Sequence, residues 1–205
     1  MKKALFIIAS SLSILTMPGC KKEAETNYAP LLNEKVWTGT LKYLTSDPGP
    51  FSVKFSTDGG FSWHDIKEDV SGTWKLDGPQ LVLIFSSGKQ LKAEFAADST
   101  MGDIVGDDGR IITIEQPQLN TNADMIMNNV RWEINGSLDR VEFSGSRVTY
   151  YDFGFWERDS YLFNRQNGTM RFSNGYNKGF FVIMPDGESI WMTGVFGNGM
   201  LKKPN

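Results

Sequence analysis

Phe51-Ser52-Val53-Lys54-Phe55-Ser56-Thr57-Asp58-Gly59 places apolar residues at every second position and then closes on Asp-Gly. Successive side chains of a strand point to opposite faces, so this alternation describes a strand with one dry face and one wet one, followed by a turn. The pattern recurs outward from there. Leu91, Ala93 and Phe95 alternate with Lys92 and Glu94, and Met170 and Phe172 alternate with Thr169 and Arg171. Between Trp37 and Lys203 there are eight Asn-Gly or Asp-Gly pairs, at 58–59, 77–78, 108–109, 135–136, 167–168, 174–175, 186–187 and 198–199. Such pairs suit type I′ hairpin turns, which need positive φ at both central residues. The chain reads as an all-β antiparallel meander.

Two runs, Leu81 to Phe85 and Phe180 to Met184, are apolar throughout and read as strands covered on both faces. No segment shows a sustained helical stripe; the best candidate is a short helix over Asn122 to Asn129. On either side of it lie two segments that align in order. Trp37 matches Trp132, Phe55-Ser56 matches Phe143-Ser144, Trp74 matches Tyr161, Asp98 matches Asp186, Gly106 matches Gly194 and Gly109 matches Gly197. This is read as a duplication. Because the turns permit only strands of ~5–7 residues, two small barrels or half-barrels in tandem are favoured over one large barrel. Trp37, Trp74 and Trp132 are assigned to the core.

The unit opens with Trp37-x-Gly39 and continues through Phe55-Ser56-Thr57-Asp58-Gly59 and Ser71-Gly72-Thr73-Trp74-Lys75-Leu76-Asp77-Gly78. In these motifs it resembles the lipocalin-like lipoproteins of Bacteroidota. The resemblance is good over residues 36–116 and weaker over 130–203, where Tyr161 replaces Trp74 and Gly39 has no counterpart. It implies lipocalin-like barrel units and no particular activity, since one architecture hosts many functions.

The N-terminus carries an address. Lys2 and Lys3 precede an apolar stretch from Ala4 to Met17, too short for a comfortable membrane span of ~20 residues, and Gly19-Cys20 follows. This resembles the signal and box of a bacterial lipoprotein, with Met17 and Pro18 as departures from the usual pattern. The resemblance implies cleavage after residue 19 and a lipid on Cys20, the chain's single cysteine. It places the protein in the cell envelope, and Lys21 in place of Asp implies the outer membrane, on a face left open. Residues 21–30 are polar and read as a flexible tether. The resulting boundaries are 1–19 signal, 20–35 lipidated tether, 36–117 first repeat, 118–129 linker and 130–205 second repeat.

The chemistry available is narrow. One His and one Cys among 205 residues exclude a disulfide scaffold and a Cys/His zinc site. A net charge of −3 argues against nucleic acid as a partner. His64 is read as a surface histidine, because Asp65 beside it points to the opposite face of its strand. Asp103, Asp107 and Asp108 before Gly109 lack the closing Glu and the spacing of a calcium loop. No metal, cofactor or catalytic residue is assigned.

Aromatic residues remain. Tyr150, Tyr151, Phe153, Phe155 and Trp156 put five large rings within seven residues, too many for alternation to bury on one face. Either some line a cavity or form an exposed binding strip, or Tyr150, Phe153 and Trp156 are core while the others shield an edge. The five are taken as candidate ligand-binding residues. The leading reading is a non-enzymatic, lipid-anchored envelope lipoprotein that binds a small apolar ligand or serves as an interaction module. The alternative is a surface glycan- or protein-binding accessory lipoprotein, including a protease-inhibitor type. A carboxylate-dependent hydrolase comes third.

Overall fold

The computed structural model describes residues 26–42, 47–106, 112–122, 130–134, 140–144, 147–152, 155–164, 167–173, 178–194 and 198–203. Among the described residues sixteen strands form two closed barrels of eight, in each of which consecutive strands are antiparallel neighbours. The first comprises β1 (Val36–Lys42), β2 (Gly49–Phe55), β3 (Gly60–Asp65), β4 (Asp69–Asp77), β5 (Gln80–Phe85), β6 (Gln90–Glu94), β7 (Ile104–Gly106) and β8 (Thr113–Asn120). It closes because β1 pairs with β2 on one side and β8 on the other. The second comprises β9 (Val130–Ile134), β10 (Arg140–Ser144), β11 (Arg147–Asp152), β12 (Phe155–Asn164), β13 (Thr169–Ser173), β14 (Lys178–Ile183), β15 (Ser189–Gly194) and β16 (Gly199–Lys202). Its closure is the pairing of β16 with β9 at Leu201↔Ile134 and Lys202↔Glu133.

The expected repeat holds strand for strand. Trp74 and Tyr161 lie in the fourth strand of their barrels, and Asp98 and Asp186 lie in the turn before the seventh. Gly106 and Gly194 end the seventh strands. Gly109, Gly197 and the helix candidate beyond Asn122 lie outside the described residues. At its other edge the linker gives way to structure, since β8 runs through Asn120 and Asn120 is buried.

Asp58-Gly59 and Asp186-Gly187 close hairpins as predicted but not as type I′ turns, and Ser87-Gly88 and Asp98-Ser99 close two more in the same way, whereas Asp77-Gly78 opens a two-residue loop, Gly78-Pro79, with Gly78 at φ 57°. Gly59, Gly88, Ser99 and Gly187 donate to the carbonyls of Ser56, Phe85, Ala96 and Met184 at 3.1, 2.8, 2.9 and 3.0 Å. In each of these four turns it is the closing residue that has positive φ, at 84°, 85°, 68° and 69°. Each is a type I turn followed by one left-handed residue, a three- or four-residue hairpin loop. The aspartates do something else: Asp58 Oδ1 accepts from Gly60 N, Asp98 Oδ1 from Thr100 N and Asp186 Oδ1 from Glu188 N. Their side chains replace a backbone acceptor, so they need no left-handed φ.

The interior of barrel one is aromatic. Phe51 stacks on Trp63 with centroids 4.6 Å apart, Phe85 meets the edges of Phe61 at 5.1 Å and Trp63 at 5.8 Å, and Trp37 meets Phe95 at 6.2 Å. Trp37 is core as expected, whereas Trp74 is half-buried at the margin, its indole N–H donating to Ser56 O. The two glycines of the sequence motifs make room for rings. A Cβ on Gly39 would sit 2.5 Å from Phe51 Cε1 and 3.0 Å from Glu115 O. On Gly72 it would strike Ile84 O and lie 2.7 Å from Phe61 Cε1.

One end of barrel one is shut by residues assigned above to the tether. Tyr28 stacks on Phe95 at 5.1 Å, Ala29–Leu31 form a 3₁₀ turn, Leu32 is buried, and Trp37 Nε1 donates to Leu31 O at 3.0 Å. The tether therefore ends before Tyr28. The apolar content of Tyr28-Ala29-Pro30-Leu31-Leu32 is spent as a plug.

Candidate functional site at the seam between the barrels

The aromatic segment is split by its strand. On β11, Val148 is buried in the second core and Tyr150 packs against that core, half-buried. Alternation puts Tyr151 on the outer face, where its hydroxyl lies 3.2 Å from Glu142 Oε2 and donates to it. Asp152 pairs with Phe155 and Tyr151 with Trp156. Phe153 lies outside the described residues, as does Cys20. The strand thus turns Tyr150 toward the second core and Tyr151 toward the outer face, each of them partly buried.

The most elaborate polar arrangement was not singled out by sequence. Register pairs Thr38 with Ser52, Ser52 with His64 and His64 with Asp69, an unbroken row across the outer face of barrel one. Alternation makes this a wet face, yet Thr38 and Ser52 are fully buried. Barrel two covers them, with β14 and β15 packed on β2. Ser52 Oγ donates to Asn167 O at 2.7 Å, and Asn167 Nδ2 donates to Ser62 O at 3.3 Å. Asn120 Nδ2 donates to Ile183 O at 2.6 Å, Asn122 Nδ2 to Pro185 O, and Asn198 Nδ2 to Pro48 O at 2.6 Å. The apolar run expected to be covered on both faces is here: Phe181 and Ile183 enter the second core, while Phe180 and Val182 are buried on the outside of β14.

Arg171 joins the two barrels. Its guanidinium, 5.0 Å from the Phe180 ring centroid, donates from Nη1 to Ile66 O at 2.9 Å and from Nη2 to Asp65 O and to Asp69 Oδ1 at 2.8 Å. Asp69 Oδ1 is also 2.9 Å from His64 Nδ1. Burial pushes the Asp69 carboxyl up, but the hydrogen bonds from Arg171 and His64 outweigh it and hold the group below its ordinary value. His64 is consequently not the surface histidine expected: its side chain is 13% exposed and engaged at the seam.

Ser52, His64 and Asp69 are the residue types of a hydrolytic triad, in adjacent positions. They are not arranged as one. A nucleophilic hydroxyl must hand its proton to the imidazole, and Ser52 directs its proton to the Asn167 carbonyl while fully buried. The three residues do structural work. Among the described residues no three His, Cys, Asp or Glu side chains gather as a metal site.

Two openings lie at the end of barrel one opposite the plug. A cleft of ≈ 340 Å³ between the barrels is lined by Leu41, Pro50, Ile66, Lys67, Thr193 and Asn198, among others. A smaller recess of ≈ 90 Å³ enters the barrel mouth past Leu41, Trp63 and Ile112. Between them sits Asp65, buried, with Oδ2 accepting from Trp63 Nε1 at 3.0 Å and Oδ1 from the amides of Lys67 and Glu68 at 2.7 and 2.9 Å. Its carboxylate is occupied in shaping the β3–β4 loop.

No protein-family model and no curated protein matches this chain. Among solved structures, the crystal structure of the Cpx pathway activator NlpE from Escherichia coli is similar at 14% identity and a TM-score of 0.31, over 81% of this chain and 94% of that one.

Proposed function

We propose that this chain is a non-enzymatic, lipid-anchored lipoprotein of the cell envelope, held at the outer membrane through Cys20, whose two barrels act together as an interaction module. The observation that carries the module half of this reading is the filling of barrel one. Its lumen is occupied by stacked aromatic rings, one end is plugged by Tyr28 and Leu32, and the other admits only ≈ 90 Å³. Pockets for small molecules usually run to ~300–1,000 Å³. The ≈ 90 Å³ recess lies well below that range, which favours the outer surfaces and the seam cleft over the lumen of barrel one for recognition. The anchor half rests on the lysines, apolar stretch and Gly19-Cys20 of the N-terminus.

The surface glycan- or protein-binding reading is favoured by one specific observation: Tyr151, paired in register with Trp156, lies on the outer face of β11 beside Glu142. Both halves are tested on protein purified from its own host. Cys20→Ser should abolish palmitate labelling and release the chain from the membrane fraction, because a stable anchor takes two lipid signals. Native mass spectrometry should give the polypeptide plus acyl groups alone. A co-purified small apolar molecule would reject the module reading in favour of a carrier, and unchanged membrane partition of Cys20→Ser would reject the anchor.

A further inference from the structure

The plug and the seam together orient the molecule. Tyr28 and Leu32 enter barrel one beside the 56–59, 78–79 and 96–99 turns, each of which follows an even-numbered strand. The loop from Asp65 to Glu68, the 86–88 turn and the mouth at Leu41 lie at the other end. Barrel two lies alongside in a defined sense. Asn120 and Asn122, at the plug end, reach Ile183 and Pro185 at the finish of β14. At the opposite end Arg171 grips the Asp65–Asp69 loop and Asn198 bonds Pro48. Alternation of the meander then puts the β11–β12 hairpin, with Tyr151 and the Trp156 position, at the cleft end as well.

We propose that the anchored protein stands with its plug end toward the bilayer, so that the seam cleft and the β11–β12 hairpin form the face turned away from the membrane. This rests on the lipid-anchor reading above. Only seven residues, Lys21 to Asn27, separate Cys20 from the plug, and four of them are charged. Whatever its conformation, the stretch of eight steps from Cys20 to Tyr28 spans at most roughly 28 Å. The nine residues of β4 span about 30 Å before tilt. Standing the barrel on its cleft end would require that stretch to be drawn out nearly to this limit.

The test uses the full lipidated chain in phosphatidylcholine vesicles containing a headgroup-nitroxide lipid. The thioether consumes the Cys20 thiol, so a cysteine introduced at an exposed position is the unique site for a bimane label. Ala97→Cys reports the plug end and Ser87→Cys the cleft end; Thr57→Cys and Asp47→Cys repeat the comparison. At least twofold stronger quenching is expected at positions 97 and 57 than at 87 and 47. Equal or reversed quenching in protein that floats with the vesicles overturns the orientation alone. Protein that does not float, or a Cys20→Ser chain that still floats, overturns the anchor reading and the orientation with it.

Discussion

At the residue scale the two copies of the repeat comment on each other. Ser99 closes the β6–β7 turn with φ 68°, at the position that Gly187 occupies in the second copy with φ 69°. An L-residue in the left-handed region is strained by roughly 1–2 kcal/mol, part of which glycine returns as chain entropy. Ser99→Gly should therefore raise stability by about 0.5–1 kcal/mol, read as a higher urea midpoint at unchanged m-value. Gly187→Ala should lower it, because the new Cβ meets the Asn122 side chain at 3.2 Å as well as the unfavourable φ. The neighbouring acids set a pH limit. Burial raises the Asp186 carboxyl, but Ser189 Oγ, two backbone amides and Lys202 bring it below its ordinary value of 3.8. For Asp98 the Thr100 hydroxyl and amide do the same. A depressed folded pKa contributes stability that is present above the unfolded value and lost as pH falls through the folded one. Stability should thus hold from pH 7 to about 5 and fall below 4. Asp69→Asn and Asp186→Asn together should flatten that fall in urea melts taken at each pH.

At the element scale, β11 decides which aromatics are scaffold. Tyr150 packs on Val148 and its neighbours in the second core, and Tyr151 points outward to Glu142. Truncating a largely buried aromatic costs about 3–5 kcal/mol and a peripheral one much less. Tyr150→Ala should cost about 2–4 kcal/mol and Tyr151→Ala under about 1.5 kcal/mol in denaturant melts. A large loss at Tyr151 would withdraw it from the candidate surface. The same logic explains the motif glycines. Phe51 lies across Gly39 and Phe61 across Gly72, so each ring uses the space a side chain would fill. Gly72→Ala should cost more than 3 kcal/mol, since the obstacle at its Cβ includes the backbone oxygen of Ile84 as well as the ring.

At the scale of the whole molecule, hydrogen bonds across the seam tie the two barrels together. Arg171, Asn120 and Asn167 each place side-chain donors on backbone carbonyls across it, and a buried carbonyl left without its partner costs about 1–3 kcal/mol. In the wild type a single calorimetric transition is expected. Arg171→Ala with Asn120→Ala should remove roughly 3–5 kcal/mol of coupling and resolve the unfolding into two transitions, one per barrel. Two transitions already present in the wild type would show that the seam adds little. The seam also positions the cleft, whose walls come from both barrels at Leu41, Pro50 and Ile66 on one side and Thr193 and Asn198 on the other.

What could be read from the sequence is what depends on near neighbours. Alternation, turn residues and the spacing of repeated tryptophans, aspartates and glycines are local, and they carried the all-β meander, the duplication and the pairing of Asp98 with Asp186. Even the double coverage of β14 was legible, because a strand with no polar face has nowhere else to go. The turn type was not, because an Asp-Gly pair serves both a two-residue turn and a longer loop closed by one left-handed glycine. Everything at the seam was decided by tertiary structure. Ser52 and Thr38 look like solvent-facing positions, and His64 like a surface histidine, until a second barrel lies over them. Arg171 lies more than a hundred residues from the loop it caps, and no periodicity records that distance. Tyr28 reads as part of a polar tether because its partner, Phe95, becomes a neighbour only when the barrel closes, and Leu32 because the core it enters is assembled only then.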